Sequence, residues 1–227
     1  MGLQLCELLG QSFMHKNDCM ELADPVSRNK QLVHIEGVSV RTLEDPAREP
    51  VHVWIDFSRP EATLKLLEQI ETPVVIATTG FTPEQVSKIE NYAKKHPVLL
   101  AANTSPGMNL IYAILHDMPI PSWATEVIVF EEHHRHKKDS PSGTAKELVS
   151  ILNQRGIHSI QIHAVRGGST PGIHRVRFLG DYEEVEFSHR VSDRKIFARG
   201  ALLGGLSLLK KKEAGLFTMQ DLLKEKL

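Results

Sequence analysis

The sequence predicts an α/β protein built on a doubly wound parallel sheet, joined to a second α+β domain that carries an open mixed sheet. Three observations lead there. Residues 50–110 alternate short β-rich runs with helical patterns. The strand candidates at 74–77 and 98–103 are almost wholly apolar, as strands covered on both faces must be. Residues 159–190 hold three β-rich runs with only turns between them, the signature of a different architecture.

Each element has a local reason. Residues 51–57 (VHVWIDF) read as a strand, and Ser58 and Glu61 have capping-box spacing at the start of a helix whose Thr63, Leu66, Leu67 and Ile70 share one face. The run 74–77 is the next strand. Thr82-Pro83-Glu84-Gln85 then supplies a cap, a proline at the first helical position and a glutamine at the right offset, with Val86, Ile89 and Ala93 facing inward. After the strand at 98–103, a helical pattern covers 108–116. Strand, helix, strand, helix, strand at this spacing describes a Rossmann-like sheet.

From about Thr125 the pattern changes. Residues 126–130 form a strand leading into a histidine cluster, and Ala145, Leu148, Val149 and Leu152 mark a helix that ends near Gly156. Three strands are expected at 159–166, 173–179 and 182–190. In the last, Glu183, Val185, Phe187 and His189 alternate with Glu184, Glu186 and Ser188, the period of a half-exposed strand. Ser192 is placed as the cap of a long helix through about Lys212, and Thr218 starts a short one. The expected division is residues 1–105 plus about 195–227 as the doubly wound domain, and 106–194 as a second domain.

Composition narrows the function. The net charge of −1 gives no electrostatic case for nucleic acid, and no basic stripe with interleaved aromatics occurs. Cys6 and Cys19 are too few for a disulfide framework, which points to a reducing, cytoplasmic setting. No apolar run approaches the roughly 20 residues that span a bilayer. Residues 1–9 have neither a basic lead-in nor a cleavage pattern, so no signal peptide is expected.

Two sets of residues carry chemistry. Thr78-Thr79-Gly80 and Ala102-Asn103-Thr104-Ser105 lie at the carboxyl ends of two parallel strands, the edge where open α/β sheets bind ligands. Small side chains there let a flat ring approach the backbone, and the hydroxyls can bond an amide or a ribose. Ordinary strand-to-helix capping uses the same residue types. The second set is Glu131-Glu132-His133-His134-Arg135-His136-Lys137-Lys138-Asp139-Ser140-Pro141-Ser142-Gly143-Thr144-Ala145. Three readings are open for it. His133, His134, His136 and Glu131 or Glu132 could ligate a metal, although successive strand residues point to opposite faces. The run could be a solvated charged loop. Or it is an acid–base and anion site, since imidazole titrates near neutrality and Lys137 can donate a proton or neutralise a carboxylate. Ser142-Gly143-Thr144 favours the third reading, because amides at a helix start lack intrahelical partners and cradle anions. Arg166-Gly167-Gly168 and Gly172-Ile173-His174 bracket a turn whose glycines can make a bulge. His163, His174 and His189 read as strand residues with satisfied partners, and Asp193, Arg194 and Lys195 as a helix-start charge set.

From about residue 53 onward the chain resembles the 4-hydroxy-tetrahydrodipicolinate reductase (dihydrodipicolinate reductase) family. The resemblance rests on Ile55-Asp56-Phe57-Ser58-Arg59-Pro60, Ala77-Thr78-Thr79-Gly80-Phe81, Ala101-Ala102-Asn103, the Glu132-to-Ala145 block, Arg166-Gly167-Gly168, Gly172-Ile173-His174, Phe197-Ala198-Arg199-Gly200-Ala201 and Gly215-Leu216-Phe217-Thr218-Met219-Gln220-Asp221. It implies an NADPH- or NADH-dependent oxidoreductase that delivers hydride to a cyclic imine dicarboxylate with loss of water, in lysine and diaminopimelate biosynthesis. It also implies a homotetramer formed through the open sheet of the second domain, which would bind substrate as well. Carried over by position, His133 is the proton donor/acceptor and Lys137 the proton donor. His134 contacts substrate, and Ser142, Gly143 and Thr144 hold a substrate carboxylate. Ala77, Thr78 and Thr79, with Ala101, Ala102, Asn103 and Thr104, line the cofactor. No metal is implied. Where the family often has Gly-Thr-Thr, this chain has Ala77-Thr78-Thr79.

The family pattern opens with a strand and a Gly-x-x-Gly-x-Met-Gly loop, whereas here Met1-Gly2 matches only the end of that loop. The expectation is therefore a nucleotide domain lacking its first strand and glycine loop, with Met1 internal to a longer reading frame. Asp24 or Arg28 would then stand where the ribose 2′ group is read. Two rivals follow: a dicarboxylate-binding remnant without turnover, and a metal-dependent hydrolase built on the histidine cluster.

Overall fold

The computed structural model describes residues 51–224, together with Met1, Gln4 and the strand residues at 13–15, 18–20, 34–35 and 38–39. Asp24 and Arg28 lie outside the described residues. The early strands form two short antiparallel pairs, β1 (Phe13–His15) with β2 (Asp18–Met20), and β3 (His34–Ile35) with β4 (Val38–Ser39). The chain divides into two compact units, Met1–Ser105 with Lys195–Leu227, and Pro106–Arg194.

The first unit runs β5 (Trp54–Asp56), α1 (Pro60–Leu67), β6 (Val74–Ile76), α2 (Pro83–Ala93) and β7 (Pro97–Leu100). It is completed by α5 (Lys195–Lys210), β12 (Gly215–Phe217) and α6 (Met219–Lys224). The sheet order is β12-β7-β6-β5 and every pairing is parallel. Alternation explains the double winding. Val74, Ile76 and Val98 face a core shared with Leu66, Leu67 and Ile89 of α1 and α2. Val75 and Leu99 face the opposite core, against Ala201 and Leu208 of α5 and Met219 and Leu222 of α6. Burying a Val, Leu or Ile contributes about 1.5–3 kcal/mol each, so both faces of the two central strands, β6 and β7, hold the sheet together. α5 comes close enough that a Cβ on Gly204 would lie 2.4 Å from Leu99 Cδ2.

The capping signals fare differently. At α2, Thr82 and Gln85 form the reciprocal box, with Gln85 N–H donating to Thr82 Oγ1 at 3.3 Å and Thr82 N–H to Gln85 Oε1 at 2.9 Å. At α1 the expected Ser58–Glu61 box does not form. Pro60 takes the first helical position, Arg59 becomes the cap residue, and the Ser58 amide turns back to Asp56. The strand expected at 51–57 shortens to Trp54–Asp56, the three residues that pair with Val74–Ile76 of β6. α5 begins at Lys195 rather than directly after Ser192. Strand β12 carried no recognised sequence signal.

The second unit comprises α3 (Pro106–Asp117), β8 (Glu126–His133), α4 (Gly143–Gln154), β9 (Ile160–Arg166), β10 (Gly172–Leu179) and β11 (Glu184–Val191). The sheet order is β11-β10-β8-β9, antiparallel except for the parallel β8–β9 pair, hence mixed and open. Both helices cover one face: Met108, Tyr112 and Leu115 of α3 and Leu148, Ile151 and Leu152 of α4 pack on Val127, Val129, Val176 and Phe178. The other face presents Ile128, Phe130, His163, Arg175 and Arg177 around a shallow depression, with the Arg175 guanidinium 5.6 Å from the Phe130 ring centre. Among the described residues, no helix is long and apolar enough to cross a membrane.

Candidate active site

In the first unit the carboxyl ends of β5, β6 and β7 bring together Asp56, Ala77–Gly80 and Ala101–Ser105. The residues expected to line a cofactor fall into two groups. Thr79 and Ala102 are exposed and Ala77 is half-buried. Thr78, Asn103 and Thr104 are buried, and their polar atoms are turned inward. Thr78 Oγ1 donates to Asp56 Oδ2 at 2.9 Å, Thr104 Oγ1 donates to the Phe197 carbonyl at 2.7 Å, and Asn103 Oδ1 accepts the Ser105 N–H at 2.9 Å. Asp56 also takes the Thr63 hydroxyl of α1 at 2.5 Å, so one buried carboxylate joins two strand ends to a helix. The sequence signal for Asp56 is a carboxylate at a strand's end, seven residues before a threonine.

In the second unit the site grows out of strand alternation. Along β8, positions 127, 129, 131 and 133 face inward, so the apolar stripe Val127–Val129 continues as Glu131 and His133. Register supplies the rest: His174 of β10 lies opposite Glu131, and Arg166 of β9 opposite His133. Glu131 is fully buried. Its Oε1 accepts the Ser142 N–H at 3.0 Å and the Arg166 guanidinium at 2.7 Å. Its Oε2 lies 3.0 Å from His133 Nδ1 and 3.7 Å from His174 Nε2. Burial alone would raise the Glu131 carboxyl; the donors facing it from His133, Ser142 and Arg166 outweigh that and hold it well below the usual carboxylate range. The His174 ring meets His133 edge-on at 5.0 Å between centres. Burial, reinforced by His133, pushes the His174 imidazole down to about 3.

The loop after β8 carries the remaining expected residues. Lys137 is partly exposed, and its Nζ is 2.7 Å from Asp139 Oδ1; burial raises that carboxyl, but the lysine prevails and lowers it. His134 donates its backbone N–H to Thr170 O, and its Nε2 accepts from the Arg194 guanidinium at 2.7 Å. Desolvation and the Arg194 charge push the His134 imidazole down. Ser142 caps α4, its Oγ accepting the Ala145 N–H and meeting His174 Nε2, each at 3.2 Å. The polar atoms of Ser142 thus face inward, while Gly143 is exposed and Thr144 half-buried in the first turn of α4.

A metal-ligand set of His133, His134 and His136 does not assemble, because His133 is buried and His134 turns toward Arg194. Among the described residues, Glu131, His133 and His174 do bring ligand atoms within 4.8 Å of one another. The Arg166 guanidinium on the same carboxylate would repel a divalent cation there. Glu131 as an anchor, and Arg166 and His174 as its partners, escaped sequence reasoning. Only the strand register brings them together.

A parallel sheet with small exposed residues on its carboxyl edge, followed by a mixed-sheet unit holding imidazoles, a lysine and a helix start, defines a two-unit nicotinamide-dependent oxidoreductase. Comparison with known proteins gives the particular group. The patterns "Dihydrodipicolinate reductase, N-terminus" and "Dihydrodipicolinate reductase, C-terminus" match residues 1–104 and 107–223, and the chain belongs to the dihydrodipicolinate reductase family. It is 34% identical to the 4-hydroxy-tetrahydrodipicolinate reductase of Alkaliphilus oremlandii, over 83% of this chain and 87% of that protein. It is 35% identical to the 4-hydroxy-tetrahydrodipicolinate reductase of Methanocorpusculum labreanum, over 89% of this chain and 93% of that protein. Its fold is similar to that of dipicolinate-bound dihydrodipicolinate reductase from Paenisporosarcina sp. TG-14, with a TM-score of 0.72 at 19% identity, covering 95% of this chain and 93% of that one.

Proposed function

We infer that this chain reduces 4-hydroxy-tetrahydrodipicolinate to tetrahydrodipicolinate with NADH or NADPH, in lysine and diaminopimelate biosynthesis, and that the residues of its second unit handle the proton and the substrate carboxylates. The observation that carries the reading is one buried carboxylate, Glu131, holding both the His133 ring and the start of α4. Lys137 follows within the same short segment.

The carboxyl edge of the first sheet fits a dinucleotide. Ala77, Thr79 and Ala102 present small surfaces, and Gly80 adopts φ +87°, a left-handed turn that glycine makes without strain. In this reading Ala77, Thr79 and Ala102 line the cofactor, and Thr78, Asn103 and Thr104, with Ala101 buried in the core beneath, hold that lining in shape. Bound reduced nicotinamide supplies a hydride to carbon. The substrate gains that hydride and one proton, and loses water. Negative charge developing on the ring during transfer is met by a positioned acid. We assign that proton to Lys137, whose ammonium is kept near the loop surface by Asp139. His133 is assigned as the neighbouring acid–base group and His134 as a substrate contact. A substrate carboxylate is held by the first-turn amides of α4, where Gly143 and Thr144 do the holding and Ser142 fixes the helix start.

A homotetramer formed through the helix-free face of the mixed sheet, around Ile128 and Phe130, completes the reading. The setting proposed is the cytoplasm, in keeping with two cysteines and a biosynthetic reaction. The test is direct. Purified protein is mixed with enzymatically generated substrate and NADH or NADPH, and absorbance at the nicotinamide band is followed. Substrate-dependent oxidation is expected, with competition by pyridine-2,6-dicarboxylate. Binding of that dicarboxylate without any oxidation would identify the non-catalytic remnant instead.

A further inference from the structure

A fully buried carboxylate is costly unless its charge is put to use. Glu131 stands on the inward face of β8, two residues beyond Val129 and two before His133. Charge balance alone would need only one of its oxygens. Arg166 and the Ser142 amide both address Oε1. Oε2 is left to the imidazoles, 3.0 Å from His133 Nδ1 and 3.7 Å from His174 Nε2. An ionised carboxylate can only accept, and although the 3.0 Å approach is not aligned as a hydrogen bond, its charge favours the proton on the nearer ring nitrogen. That places the His133 proton on Nδ1 and leaves its Nε2 on the opposite side.

That opposite side is kept clear by sequence. A Cβ at Gly172 would lie 3.0 Å from His133 Nε2 and 3.3 Å from Cδ2, so any larger residue there would crowd the ring. The same carboxylate, through the Ser142 N–H, fixes the residue that caps α4. The imidazole and the helix start thus share one anchor.

We propose that Glu131 is the positioning residue of this site: it sets the tautomer and orientation of His133 and registers that ring against the first turn of α4. The inference rests on the reading of His133 as an acid–base group, and its test separates the two.

Protein labelled with 15N-histidine is compared as the native chain, Glu131→Gln and His133→Gln, the last identifying the His133 signals. Imidazole 15N shifts report which nitrogen holds the proton. The native neutral His133 ring is expected to be protonated at Nδ1. In Glu131→Gln that single tautomer gives way to a mixture, and kcat falls on the order of 10- to 100-fold, as for other groups that orient a functional imidazole. KM moves far less, because the glutamine oxygen can still accept the Ser142 N–H. A purely structural role would lower thermal stability while leaving tautomer and kcat alone, and that result overturns the proposal. So does a native His133 ring protonated at Nε2, a measurement that stands even where Glu131→Gln fails to fold. Native turnover in His133→Gln would instead sink the acid–base reading, with the tautomer data still deciding what Glu131 does.

Discussion

The Thr78 hydroxyl donates to the Asp56 carboxylate at 2.9 Å and so ties the carboxyl end of β6 to that of β5. Both residues are buried, and Asp56 also takes the Thr63 hydroxyl and the Ser58 amide. The carboxyl edge of the sheet, where the cofactor is proposed to bind, is therefore shaped from beneath by a buried carboxylate.

Replacing Thr78 by Val keeps the shape and removes one donor from that carboxylate. The expected cost is about 1–3 kcal/mol, the penalty for leaving a buried polar group short of a partner. At roughly 2–4 °C per kcal/mol for a protein of this size, the melting temperature should drop measurably. Fluorescence titration should show weaker NADPH binding. An unchanged melting curve would show that the Asp56 network carries no weight.

Lys137→Ala removes the ammonium paired with Asp139. Loss of a positioned proton donor costs about 10²–10⁴ in rate, so kcat should fall into that range while circular dichroism stays native. The ion pair is partly exposed and contributes little to stability. Turnover close to the native value would remove Lys137 from the mechanism.

Acid lability has a named source. The folded His174 imidazole titrates near 3 against an ordinary 6.5, because of burial and then the neighbouring His133 charge. Between those values the unfolded chain binds a proton that the folded one refuses, so stability falls as pH drops from 6.5 toward 3. One such proton gives a slope of at most about 1.4 kcal/mol per pH unit. Glu131, whose folded pKa is lowered, adds to the loss below about pH 4.5. Urea midpoints measured from pH 7 to pH 4 should decline in the native protein and more gently in His174→Gln. Equal slopes would exclude His174 as the cause.

The helix-free face of the mixed sheet provides a test of assembly. Phe130→Glu places a charge among Ile128, Phe130 and Arg175. If the proposed homotetramer forms through this face, sedimentation velocity should report a smaller particle for the variant than for the native protein, with secondary structure unchanged. A native tetramer in the variant would move the interface elsewhere.

Much of the architecture is legible in the chain because it depends on local patterns. Thr82-Pro83 and Gln85 announce α2, and the complete burial of Val74, Val75 and Ile76, on alternating faces, follows from an apolar run covered on both sides. Thr218 announces α6, where its hydroxyl and the Asp221 carboxylate each take the other's amide. What escaped depends on long-range pairing. β12 has only three residues, and its place beside β7 is decided by where α5 delivers the chain. Ser58 had the right neighbours for a cap, yet a carboxylate two positions back offered its amide a better partner. At the site, the residue types of His133, Lys137 and Gly143 announced anion and proton chemistry. Glu131 could not be told apart from Glu132 as the anchor without strand phase, nor Arg166 and His174 from ordinary strand residues without register.

One carboxylate grips both ends of the stretch from His133 to Ser142, which makes the intervening residues an arch with its two feet on a common stone. The ammonium of Lys137 rides on that arch, which is also tied to the β9–β10 turn through the His134 and Arg135 amides and to β9 through the Arg166 guanidinium on the Asp139 carbonyl. Lengthening or shortening the span by one residue would move the lysine against the His133 ring while both feet stay in place.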